Sequence, residues 1–183
     1  DYFLNTNDDM VFHAGFAEDL INIIDENYPC SASCRLVENF FSNNPPVVVD
    51  ESLSNIYDLN VAGSFVSKAN SGFYNVSNRI SAYNHPICVK SKDYLKVGGY
   101  SGFWDMDFAS GYCRDDMFAF CLWHLHEQNF KFICSDKSFV FHASSATMRR
   151  LPNEIRAQHN QNVFLSKTGV DIHSFKQILN NQP

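Results

Sequence analysis

Long apolar runs are missing from this chain. Nothing in it approaches the ~20 residues needed to cross a bilayer, and its first residues lack the basic-then-apolar order of a signal peptide, so a soluble segment without a transmembrane helix is expected. Basic clusters are scarce as well. No Lys/Arg run exceeds Arg149-Arg150 and the net charge is -6, which removes the electrostatic footprint of a duplex-binding protein and predicts no nucleic-acid partner. The six cysteines, at 30, 34, 88, 113, 121 and 134, do not stand at zinc-site spacings. They read as reduced, mostly buried thiols in packed helix and strand patterns, Cys30 and Cys34 near a helix turn, which predicts a reducing compartment: the cytoplasm or the cytoplasmic face of a membrane. Cys30 and Cys34 keep a metal-ligand or disulfide alternative. Repeats, long linkers and low-complexity stretches are also lacking, so residues 1–183 are expected to form one domain, with a catalytic part over 1–142 and a C-terminal loop and helices over 143–183.

What is abundant is aromatic surface. Seventeen Phe and eight Tyr, within 45% apolar residues, supply enough buried area for a real core and flat faces that sugars or bases can stack on. The chain opens in an apolar strand, Tyr2-Phe3-Leu4, without an initiating Met, which suggests that N-terminal sequence is missing. That strand runs into Asn5-Thr6-Asn7-Asp8-Asp9, a polar tail that places side-chain oxygens at the C-terminal edge of a sheet, where ligands of open α/β sheets bind. Helical spacing of Phe16, Leu20, Ile23 and Ile24 predicts an amphipathic helix over 15–27. Strands are expected at Val47–Val49, at Phe65-Val66 and at Ile87–Val89, with loop from Gly72 to Asn78. Glycines in the turn Gly98-Gly99-Tyr100-Ser101-Gly102 permit positive φ or close approach of a ligand. Arg114-Asp115-Asp116 opens a buried helix reaching about Gln128, its first-turn carboxylates favoured by the macrodipole. Phe130–Cys134 and Ser138–Phe141 read as two strands joined by a turn at Asp136-Lys137, ending at His142. Helices are expected from Pro152 to about Lys167 and from Ser174 to Leu179.

In order along the chain stand an apolar strand ending in an acidic tail, a Gly-Gly-aromatic turn, an acidic helix start and a strand-end His. This order resembles the inverting nucleotide-sugar glycosyltransferases of family 2, with the GT-A fold, over about residues 1–142. The resemblance implies an α/β fold: a Rossmann-like mixed sheet flanked by helices, here lacking the N-terminal nucleoside-binding strands. It also implies metal-assisted, inverting transfer of a sugar from a nucleotide-diphosphate donor to a hydroxyl of a glycan, lipid or protein. Asn7 stands where the family's D-x-D motif begins, and Asp115-Asp116 where it has an E-D pair.

Carried over residue by residue, Asp9 is the first metal ligand, for Mn²⁺ or Mg²⁺, with Asp8 or Asn7 assisting through the ribose or water. His142 is a further ligand, one that suits Mn²⁺ better. Asp116 matches the base that takes the acceptor proton, and Asp115 is the neighbouring acid. Gly98, Gly99 and Arg149 belong to the donor side, with Arg150 beside the last. Tyr100 and Trp104 are candidates for stacking on the acceptor sugar. Each residue keeps a plainer alternative: solvated turn for Asp8 and Asp9, helix cap for Asp115 and Asp116, strand-end cap for His142, core packing for the rings. Asp105-Met106-Asp107 follows no strand and reads as loop, and His124 and His126 point to different helix faces. A competing reading is a non-catalytic carbohydrate-binding or interaction module using Tyr100 and Trp104. A metal-dependent phosphoesterase on the same carboxylates is a third.

Overall fold

The computed structural model describes residues 1–7, 9–39, 47–53, 58–83, 85–99, 113–142 and 153–181. Strands β1 (Tyr2–Asn5), β2 (Met10–Phe12), β3 (Cys30–Glu38), β4 (Val47–Val49), β5 (Ile80–Ser81), β6 (Ile87–Lys90) and β7 (Lys131–His142) form one mixed sheet in the order β1-β6-β3-β7-β2, with β4 also on β3 and β5 also on β7. Helices α1 (Phe16–Asn27), α2 (Leu59–Asn70), α3 (Ser91–Lys96), α4 (Arg114–Leu125), α5 (Asn153–Thr168) and α6 (Ile172–Asn180) flank it. The α/β class expected from the sequence is therefore what the chain adopts, with a mixed, helix-flanked sheet.

The centre is the parallel pair β3 and β7, running from Cys30 opposite Lys131 to Val37 opposite Phe141. Strand β3 is built largely of Cys, Ser and Ala, and those small side chains are buried on both of its faces. Such a strand shows no apolar alternation because neither face meets water. Strand β6 is antiparallel to both β1 and β3, so β1, β3 and β7 run the same way and their C-terminal ends share one edge.

Alternation on the other strands sorts the core into layers. Ile87 and Val89 of β6 and Phe130 and Phe132 meet α4, α5 and α6 through Phe118, Leu122, Phe164 and Phe175. Cys88, with Cys30, Ala32, Cys34 and Val140, faces Leu20, Ile23 and Ile24 of α1. Phe139 and Phe141 alternate with Val140 and lie against Phe65 and Ala69 of α2. Helix α2 is further tied by Asp50, which accepts from Lys68 Nζ at 2.7 Å and from the Tyr74 hydroxyl at 2.6 Å. Burial works against that carboxylate, but its donors outweigh the cost and hold its pKa down at about 2.

Four local readings of the sequence are corrected. Phe65 and Val66 lie inside α2, whose start is capped by the Asp58 carboxylate accepting from the Asn60 N–H at 2.8 Å. Cys30 and Cys34 lie on β3 rather than near a helix turn, and none of the six cysteines is in a disulfide. The two segments around Asp136-Lys137 do not fold back as a hairpin. They continue in one direction as β7, and the register with β3 jumps from Ser33 opposite Cys134 to Arg35 opposite Phe139.

The excess residues bulge out between those pairings, and local polar bonds hold Ser135, Lys137 and Ser138 in place. Ser135 Oγ accepts from the N–H groups of Lys137 and Ser138 at 2.9 and 2.8 Å. Both serine hydroxyls in turn donate to Asp19 Oδ2 of α1, Ser138 at 2.7 Å. Helix α4 ends earlier than expected, at Leu125, because Glu127 and Gln128 take positive φ of 52° and 69°. No helix among the described residues is long and apolar enough to cross a membrane.

Candidate functional site

At the shared C-terminal edge, the ends of β3 and β7 carry Glu38 and His142, and Asp9 stands in the turn that enters β2. Pairing of Met10 with His142 brings Asp9 beside the imidazole. His142 Nε2 lies 3.6 Å from Asp9 Oδ1, while Nδ1 lies 2.8 Å from Glu38 Oε1. Glu38 is 5% exposed. Asp9 Oδ1 is buried and makes no hydrogen bond. The strand tail and the strand-end His, read separately from sequence, are thus neighbours.

A second cluster forms where β1 ends beside the start of α4. His85 stands two residues before β6, and its ring lies between two partners: Nδ1 is 3.4 Å from Asn5 Nδ2 and Nε2 is 2.9 Å from Asp115 Oδ1. Burial disfavours the charged ring, yet the hydrogen bond and charge of Asp115, with the Asn5 backbone, raise the His85 pKa above its ordinary value. Asp116 is 7% exposed and lies 3.3 Å from Lys176 Nζ of α6. Burial, with help from Asp115, raises its pKa against the pull of Lys176. Cys113 precedes the helix at φ 68° and gives no side-chain cap, so the first-turn carboxylates are the acidic groups that meet the positive end of α4. The Tyr83 hydroxyl donates to the Asp115 carbonyl and fixes that turn to the strand side.

The two clusters are joined by chain. The tail from Asn5 to Asp9 can span at most about 14 Å at roughly 3.3–3.6 Å per residue, so the Asp115 and Asp9 ends sit at the two ends of one short segment. Asn7, within it, is exposed. Gly98 and Gly99 take positive φ of 98° and 57°, the first of the two alternatives that their turn permits. Gly98 N–H bonds to the Leu95 carbonyl at 3.1 Å, and Gly99 borders the Tyr94 ring. These glycines shape the end of α3. Asp8, Tyr100, Trp104, Asp105, Asp107, Arg149 and Arg150 lie outside the described residues. A groove of about 220 Å³ lined by Asn27, Arg79, Ser81 and Lys131 contains none of the residues singled out from the sequence.

Among the described residues, no group of three or more His, Cys, Asp or Glu is arranged to hold a metal ion by itself. The Asp9 and His142 pair nevertheless fits a divalent cation that completes its shell with water and substrate phosphates, since such sites use only one or two protein ligands. The orphaned Asp9 oxygen facing an imidazole nitrogen is the specific feature in favour.

Sequence reading missed His85, Glu38 and Lys176. None belongs to a short motif, and each is recruited by a contact over long sequence separation. His85-Pro86 directly before an apolar strand was the one local cue. No family model, curated protein or solved structure matches this chain, so the functional reading rests on these residues and their geometry.

Proposed function

We propose that the chain carries the metal- and acceptor-binding part of an inverting, nucleotide-sugar-dependent glycosyltransferase of the GT-A type. The observation that carries this reading is the convergence on one sheet edge. His85 links the end of β1 to Asp115, and the same strand's tail delivers Asp9 to His142. That linkage is what supports assigning a cation for the leaving diphosphate and a base for the incoming hydroxyl to one substrate.

In this reading Asp9 and His142 hold Mn²⁺ or Mg²⁺, with Asp8 or Asn7 assisting. Once bound, the cation supplies positive charge against the nucleoside diphosphate as it departs. The acceptor hydroxyl attacks the anomeric carbon from the face opposite the leaving group. The sugar-phosphate C–O bond breaks with its electron pair going to the diphosphate, and Asp116 takes the hydroxyl proton. A buried carboxyl with a raised pKa suits that task, because its basicity lies nearer neutrality than that of a solvated Asp. Asp115, tied to His85, flanks the acceptor. Gly98, Gly99 and Arg149 are assigned to the donor, Tyr100 and Trp104 to the acceptor sugar. Cysteines outside disulfides suit a reducing compartment, the cytoplasm or the cytoplasmic face of a membrane.

The test is calorimetric titration with nucleoside diphosphates with and without Mn²⁺, followed by transfer assays. Binding should require the metal and vanish in Asp9→Ala. Asp116→Asn should leave donor binding nearly intact and cut transfer by at least about 10²-fold, the lower range for a lost acid-base group. Sugar binding indifferent to metal and nucleotide would instead identify a carbohydrate-binding module.

A further inference from the structure

Glu38 belongs to no motif, and the transfer reading assigns it no role. It closes β3, and its side chain is 6% exposed. Burying a carboxylate is costly unless strong donors compensate, and the donor here is His142 Nδ1 at 2.8 Å. An ionised carboxylate can only accept, so Nδ1 carries the hydrogen and, in the neutral ring, Nε2 is left with a lone pair. That nitrogen faces Asp9 Oδ1, itself an acceptor, at 3.6 Å, beyond hydrogen-bond distance, and the oxygen makes no other hydrogen bond. Two acceptors turned toward each other with a buried clamp behind one of them form a donor pair that a cation satisfies.

We infer that Glu38 is a positioning residue that locks His142 in the Nδ1–H tautomer and turns Nε2 toward Asp9, setting the pair for a divalent cation. The cation's role in transfer rests on the function proposed above, but the orientation of the ring does not. Two registers, β3 with β7 and β2 with β7, bring Glu38 and the Asp9 turn to the end of β7, so the sheet sets the ring between its two carboxylates. A purely structural Glu38 would fasten the ends of β3 and β7 without caring which nitrogen holds the proton.

Long-range ¹H–¹⁵N correlation on metal-free protein with ¹⁵N-labelled histidine, at a pH where the ring is neutral and with His142→Asn to assign the signal, reads the tautomer directly. The Nδ1–H form is expected in the wild type, and a mixture in Glu38→Gln. Mn²⁺ titration followed by electron paramagnetic resonance should show affinity reduced about 10- to 100-fold in Glu38→Gln, the range for a lost outer-shell partner. An Nε2–H ring in the wild type overturns the inference, and that reading needs no variant. So does an unchanged Mn²⁺ affinity in a Glu38→Gln protein whose circular dichroism matches the wild type. A wild type that takes no Mn²⁺ but keeps the Glu38-dependent tautomer sinks the transfer reading and leaves the positioning of His142 by Glu38 standing.

Discussion

His85 shows how one side chain can tie a strand end to a helix start. Its pKa is raised above the ordinary 6.5, so the folded state binds the proton more tightly than the unfolded chain does. The stability it contributes is fully present below that ordinary value and is lost as pH rises through the folded one. Asp116, also raised, acts with the same sign from a lower starting pH, so a variant is needed to isolate His85. His13, whose pKa burial lowers, acts with the opposite sign, so the reading is a difference: as pH rises through neutrality the urea midpoint should fall more in the wild type than in His85→Gln. Equal slopes in the two proteins would show that the Asp115 contact does not perturb the ring.

At the scale of elements, the bulge in β7 depends on α1. Asp19→Ala removes the acceptor of the Ser135 and Ser138 hydroxyls and should cost about 1–3 kcal/mol, the penalty for stranding buried polar groups. Chemical denaturation checks this, and a loss under a few tenths of a kcal/mol would mean that the bulge holds itself.

The same bulge explains what sequence reading could and could not see. Asp136-Lys137 does mark an irregularity, but a turn dipeptide cannot say whether the chain reverses or resumes its course. That is settled by contacts over long sequence separation, the parallel pairing with β3 and the bonds to Asp19, 116 residues from Ser135. Strand β3 escaped notice because Cys, Ser and Ala buried on both faces leave no apolar period to detect. Phe65-Val66 looked like a strand because aromatic and β-branched residues favour one, whereas the Asp58 cap and the spacing of Phe65 and Ala69 were the helical signals. Tyr2–Leu4, the Leu20-Ile23-Ile24 stripe and the buried helix after Asp115-Asp116 were legible because their apolar patterns are local. Asp9 and His142 were legible as strand-end residues. Their link to Glu38, and that of Asp115 to His85, required the sheet.

For the molecule as a whole, the C-terminal helices complete the core on the α4 face. Helix α6 docks through Ile172, Phe175 and Leu179, all buried, and Phe175 meets Phe120, Trp123 and Phe164. Phe175→Ala should cost about 3–5 kcal/mol and lower the thermal midpoint accordingly. It should also expose the 153–181 region to limited proteolysis, and an unchanged cleavage pattern would show that α6 is held by other contacts.

The central pairing also has a cost in time. Arg35 of β3 and its bonding partner Ser135 of β7 are 100 residues apart, and at roughly 5–20 residues per second a ribosome needs about 5–20 s to make that stretch. Through that interval the thiol-rich strand has been synthesised without the neighbour that will cover its long edge. A nascent chain stalled short of β7 is therefore the form most exposed to edge-to-edge association, and the one most in need of a chaperone.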